Sequence, residues 1–243
     1  MTYCVGILLD DGLVLAADSR TNAGVDQIAL ARKLTFFHRE GDRVLGLMSS
    51  GNLATTQAVV TMLQQECDDC EGPTMMSVKT LFDAAQLVGD TLRKVLARDA
   101  SYVQPYGDPN ASFILGGQIA GESHRLFEIY AAGNFVEASD DTPFLQIGET
   151  KYGKPILVRM IRHDTNLVDA CKCAVLSMDA TIRSNLSVAP PIDLLCYRKD
   201  TLMPETYRRI EADDAYLISL REGYSTGLGE LFHDLPQPPW LTS

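Results

Sequence analysis

The 243-residue chain lacks several features that would point to particular classes of protein. No run of about 18 or more apolar residues occurs, so nothing in it reads as a membrane-spanning helix. The start, Met1-Thr2-Tyr3-Cys4-Val5, has no basic stretch followed by an apolar one, so no secretory signal is expected and the expected location is cytoplasmic. Basic residues are in short supply, with Lys+Arg 21 against Asp+Glu 32, a net charge of −11. An acidic surface repels phosphate backbones and anionic membranes, so neither nucleic acid nor membrane is an expected partner. The four histidines, His38, His124, His163 and His233, are scattered with no metal-ligand spacing. No internal repeat and no linker breaks the chain, so a single domain over 1–243 is expected, ending in a Pro-rich tail at 234–243.

Six cysteines are present. Cys67 and Cys70 form a CxxC, and Cys171 and Cys173 a CxC, which together could supply four zinc ligands. The CxxC has no βαβ context and ends a helical stretch, so all six are read as free thiols in a reducing compartment, with no metal and no cofactor.

Apolar, β-prone runs at Tyr3 to Leu9 and Leu13 to Ala17 flank Asp10-Asp11-Gly12, a hairpin signal. Lys33 to Phe37 and Arg43 to Met48 read as two more strands. Asn52 to Glu66 and Ser77 to Arg98, with Ser77 as cap, show helical periodicity. Strands return at Ser112 to Leu115, Arg125 to Tyr130 and Phe144 to Ile147. Helices follow at Tyr152 to Arg162 and Leu167 to Arg183, then strands at Asp193 to Tyr197 and Ala215 to Leu220. Hairpins grouped before paired helices do not read as alternating βαβ units; they fit an α+β arrangement with sheets inside and helix pairs outside.

The hairpin also gathers chemistry. A two-residue turn at Asp10-Asp11 or Asp11-Gly12 makes paired residue numbers sum to about 21–23, which sets Thr2 close to Asp18 across the ladder. Lys33 opens the next strand, although periodicity does not fix where its side chain points. A threonine hydroxyl is a weak nucleophile and needs a base. With Met1 removed, the α-amine of Thr2, ordinarily titrating near 7.7–8.0, can serve as that base. An ammonium can hold the hydroxyl and depress the amine's pKa, and a carboxylate compensates the ammonium. Thr2, Lys33 and Asp18 supply this set.

The segments Thr2-Tyr3-Cys4-Val5-Gly6-Ile7, Gly12-Leu13-Val14-Leu15-Ala16-Ala17-Asp18-Ser19-Arg20 and Lys33-Leu34 resemble the opening of proteasome β-type peptidases, which are N-terminal-nucleophile hydrolases. Asn22-Ala23-Gly24-Val25-Asp26, Gly148 to Lys154 and Arg183 to Val188 narrow the resemblance to the bacterial Anbu branch, the proposed ancestral β-subunit. The resemblance implies a four-layer αββα sandwich and a threonine peptidase acting on peptides or unfolded protein. It also implies a self-compartmentalising homo-oligomer, either a ring or an open helix, and it leaves an ATPase partner open. Site roles carried over are Thr2 as nucleophile and base, Asp18 as orienting carboxylate and Lys33 as ammonium. Gly51 is the oxyanion donor, in the run Ser49-Ser50-Gly51, and Asn22 is a substrate-binding residue. Two family features are altered. The Asp-x-x-Ser-Gly run corresponds to Ser184-Asn185-Leu186-Ser187-Val188, and the Gly-Ser-Gly loop to Gly148-Glu149-Thr150, so Ser187 and Glu149 become the expected supporting residues.

Other readings compete. A non-proteolytic assembly or peptide-binding subunit, or an amidase for small amides, would keep the fold and change the function. Gly223-Tyr224-Ser225-Thr226-Gly227 matches a nucleophile elbow, but only His233 follows it, so its glycines are expected to serve a turn. Gly148 to Lys154 resembles a P-loop, but Pro155 stands where the Mg²⁺-binding hydroxyl belongs.

Overall fold

The computed structural model describes residues 2–22, 28–69 and 72–241. Two five-stranded antiparallel sheets stack face to face. The first has the order β10-β1-β2-β11-β12, from β1 (Tyr3–Leu9), β2 (Gly12–Asp18), β10 (Phe144–Gly148), β11 (Ile192–Arg198) and β12 (Pro204–Ile210). The second runs in sequence order through β5 (Leu34–Arg39), β6 (Arg43–Gly51), β7 (Ala111–Ile119), β8 (Arg125–Ile129) and β9 (Phe135–Glu137). A short ribbon pairs β3 (Arg20–Asn22) with β4 (Ile28–Leu30). The helices are α1 (Leu53–Asp69), α2 (Leu81–Val103), α3 (Lys154–Met160), α4 (Leu167–Ser184) and α5 (Ala215–Asp234).

Every residue of β1 and β2 is buried, because both faces of their sheet are covered. The alternation of a strand sorts them. Tyr3, Val5, Ile7, Leu9, Val14 and Ala16 pack with Leu157, Ala174 and Met178 of α3 and α4. Cys4, Leu8, Leu13, Leu15 and Ala17 face the second sheet and meet Val44, Met48, Ile114 and Leu126. That sheet's other face, with Leu45, Leu47, Phe113 and Phe127, packs on Leu63 of α1 and on Leu81, Ala85, Val88 and Leu92 of α2. Each such fully buried aliphatic or aromatic side chain contributes about 1.5–3 kcal/mol relative to exposure. Three apolar layers between helices, sheet, sheet and helices make the four-layer αββα sandwich.

Several boundaries differ from the sequence reading. The helix expected from Ser77 begins at Leu81, where Thr80 is the N-cap and its side chain accepts from Asp83 N. Ser77 instead accepts from Thr74 N at 2.8 Å, in the turn before the helix. The strand expected at Ala215 to Leu220 is the first part of α5, capped by Asp214 on the amides of Tyr216 and Leu217. Gly223 to Gly227 lie inside that helix, not in a turn. The edge strands β9 and β12 were not foreseen. Cys171 and Cys196 are joined as a disulfide between α4 and β11, which corrects the reading of six free thiols and removes Cys171 from any metal set. Cys4 and Cys173 are free and buried. Cys70 and the side chain of Cys67 lie outside the described residues, so the CxxC does too. No described helix is long and apolar enough to cross a membrane.

Candidate active site

The β1–β2 hairpin turns at Asp10-Asp11, and its register pairs Cys4 with Ala17 through Leu9 with Gly12, a constant sum of 21. Continued by one step, Tyr3 lies opposite Asp18. The Asp18 carboxylate accepts from Tyr3 N at 3.0 Å, and so sits beside the start of β1 where Thr2 enters.

Asp18 is fully buried and is held on both oxygens. Oδ1 also accepts from Lys33 Nζ at 2.6 Å, and Oδ2 accepts from the amides of Arg20 at 3.2 Å and Ala189 at 3.5 Å. Lys33 Nζ donates further to the Arg20 carbonyl at 2.5 Å. Burial pushes the Asp18 carboxyl above the usual aspartate range, while the Lys33 ammonium and the backbone donors pull it down. Lys33 lies just before β5, where its carbonyl accepts from Ser49 N at 3.0 Å and extends the β5–β6 pairing. That extension brings Lys33 against the end of β6, with Ser49, Ser50 and Gly51.

Thr2, Lys33, Ser49, Ser50 and Gly51 line one cleft of about 270 Å³, together with Thr21, Arg32, Thr35 and the first turns of α1. Gly51 closes β6 and has φ +110°, where an added Cβ would also run into the Asn110 carbonyl. Asn52 follows and caps α1 through its side-chain oxygen on Thr55 N, 3.2 Å. Thus a strand-to-helix turn puts a glycine at the cleft beside Thr2.

Of the sequence-predicted site residues, Thr2, Asp18, Lys33 and Gly51 are gathered here. Asn22 closes β3 and pairs with Ile28, while its side chain and residues 23–27 lie outside the described residues. Glu149 and Ser187 come together through a residue the sequence reading did not single out. Glu149 N donates to the Thr2 carbonyl at 2.7 Å, and the Glu149 carboxylate accepts from Asn185 Nδ2 at 3.1 Å. Asn185 Oδ1 in turn accepts from Ser187 N at 2.9 Å. Asn185 terminates α4 as its C-cap, and an asparagine after a helix carries no signal in sequence beyond that role. Gly148 has φ +85°, and an added Cβ there would collide with the Thr2 carbonyl. Val188 is buried in the core cluster beneath the first sheet.

Cys4, two residues from Thr2, is not placed to act as a nucleophile. It is fully buried, and burial pushes its thiol far above the ordinary cysteine range. Tyr3 is likewise structural: its hydroxyl bonds Ser177 Oγ and Gln146 Nε2, both at 2.6 Å, and burial raises its pKa to about 12.

A buried Asp18–Lys33 pair beside the strand that Thr2 enters, in two stacked five-stranded sheets flanked by helices, belongs to the N-terminal-nucleophile fold class. The Proteasome subunit family matches residues 2–194, and the chain belongs to that family. Among solved structures it is similar to Anbu (ancestral beta-subunit) from Yersinia bercovieri, at 48% identity over 97% of this chain and 98% of that one, with TM-score 0.92. It is also similar to the chain in the helical assembly of the Anbu complex from Pseudomonas aeruginosa, at 50% identity over 98% of both chains, TM-score 0.93. The proteasome subunit beta 2 of Pyrococcus abyssi is 26% identical over 212 residues, 86% of this chain and 90% of that protein.

Proposed function

We propose that this chain is a cytoplasmic threonine peptidase subunit of a proteasome-like homo-oligomeric particle, active once Met1 is removed. The observation that carries the reading is the buried Lys33–Asp18 pair at 2.6 Å, with Lys33 lining the same cleft as Thr2. A buried ion pair is costly to desolvate and is weak evidence for stability by itself. Its position beside a threonine gives it a chemical use.

In this reading Thr2 Oγ attacks the peptide carbonyl carbon and passes its proton to its own α-amine. The Lys33 ammonium holds the hydroxyl and keeps the amine's pKa low enough to act as base. Asp18 fixes Lys33. The Gly51 N–H receives the oxyanion as the tetrahedral intermediate forms. The amine then protonates the leaving peptide nitrogen, leaving an ester on Thr2, and water activated by the same amine hydrolyses it. Asn22, on the β3–β4 ribbon, is assigned to holding the substrate backbone. The Glu149–Asn185–Ser187 chain of hydrogen bonds is assigned to holding the Thr2 carbonyl in place. The site needs no cofactor. The particle follows the helical assembly of the Pseudomonas relative and would confine cleavage to enclosed sites.

The test is the Thr2→Ala variant, assayed for peptide hydrolysis and by sedimentation. Hydrolysis should fall to background while the sedimentation profile stays that of the parent. Hydrolysis at the parent rate would remove Thr2 from the mechanism.

A further inference from the structure

The cleft beside Thr2 has an unbalanced charge. Its polar wall is built of hydroxyls and an amide: Thr21, Thr35, Thr56, Gln57 and Thr61, with Leu53 and Val60 as the apolar part. Two cations line it, Lys33 and Arg32. The Lys33 charge is spoken for, with Asp18 at 2.6 Å. Arg32 is exposed and forms no ion pair or hydrogen bond among the described residues. No carboxylate stands among the described residues lining the cleft.

We propose that Arg32 selects an acidic side chain, glutamate or aspartate, on the substrate residue whose carbonyl Thr2 attacks. The inference rests on the reading of Thr2 as nucleophile and adds the substrate class. An arginine presents a planar fork of donors that matches a carboxylate in two parallel hydrogen bonds. The hydroxyls of Thr21, Thr35 and Thr61 and the Gln57 amide can donate to the same carboxylate, while the Thr56 hydroxyl is taken by the Leu53 carbonyl at 2.9 Å. A cleft of about 270 Å³ has room for a side chain of that size. A basic side chain would meet Arg32 with no acid to offset it, and like charges in proximity repel. The preference runs against the molecule's overall field, since a net charge of −11 attracts cationic peptides at long range. A preference for acid is therefore a property of the cleft and not of the surface, and the two are separable by experiment.

The test uses two peptide epoxyketones, identical except for Glu or Lys at the residue bearing the reactive carbonyl, with labelling rates followed by intact mass. The Glu probe should label faster by about tenfold or more, of the order of one well-placed charge pair. The Arg32→Glu variant should reverse the order of the two probes, and added salt should narrow the ratio in the parent protein. Equal rates, or a faster Lys probe in the parent, would overturn the selectivity and leave Thr2 as nucleophile. Failure of both probes to label Thr2 would overturn the peptidase reading beneath it, and the selectivity with it.

Discussion

Asp18 is the residue on which the site turns, because its two oxygens tie together the start of β1, the segment after β2, the run before β11 and Lys33. Burial raises its pKa, so the folded protein holds a proton on this group more tightly than the unfolded chain does. Its contribution to stability is therefore present below the unfolded aspartate pKa, about 3.9, and is lost as pH rises through the folded value. In the proposed mechanism activity runs the other way, since a protonated Asp18 no longer compensates the Lys33 ammonium. Titration of Asp18 itself, followed by NMR of its carboxyl carbon, should give a midpoint above the ordinary aspartate range, whereas the acid limb of the rate profile also carries the α-amine base. A midpoint at about 3.9 would mean that Lys33 and the backbone donors outweigh burial. At this scale the closeness of Thr2 and Asp18 is legible because a two-residue turn fixes the hairpin register, while Lys33 is named on the resemblance, since periodicity does not place its side chain. Asn185 was not legible, because its link to Glu149 joins residues 36 apart that no local pattern connects.

Among the elements, β1, β2, β6 and α4 were readable from period and turn chemistry, since each carries a dense apolar pattern bounded by turn or cap residues. The edge strand β12 was not. It reads Pro-Glu-Thr-Tyr-Arg-Arg-Ile, with a proline at its start and charges along its length, which suit an edge and hide it from pattern. The first turns of α5, Ala215 to Leu220, read as a strand in sequence because a short apolar run is not separated from a strand by periodicity alone. Gly223, Gly227 and Gly229 weaken the helical pattern that follows. Of its residues only Leu217 is buried, so little tertiary packing supports the helix and its cap carries more of the burden. Asp214 accepts from Tyr216 N at 2.9 Å and Leu217 N at 3.4 Å, and pairs with Arg208 at 2.7 Å. Asp214→Ala should destabilise α5 by about 1 kcal/mol, read as faster amide exchange across 215–234. Exchange unchanged from the parent would show that contacts other than the cap hold the helix.

For the whole molecule, the stacked sheets bring a hairpin start, a strand end and a helix end to one cleft, so assembling the site requires the whole sandwich. The exposed face of α5 and the segment after it carry Leu228, Leu231, Phe232, Trp240 and Leu241, apolar groups that a subunit contact would cover in the proposed particle. Obligate interfaces commonly bury about 2,000 Å² or more, and head-to-tail contacts close as rings or continue as helices according to the rotation between subunits. The proposed mechanism rests on one chemical event, which depends on a free amine at Thr2. The most direct measurement is peptide mapping by mass spectrometry of the purified, active protein after reaction with a peptide epoxyketone. The account predicts a chain that begins at Thr2 and carries one adduct bridging its hydroxyl and α-amine. Active protein that retains Met1, or an adduct on any other residue, would contradict it.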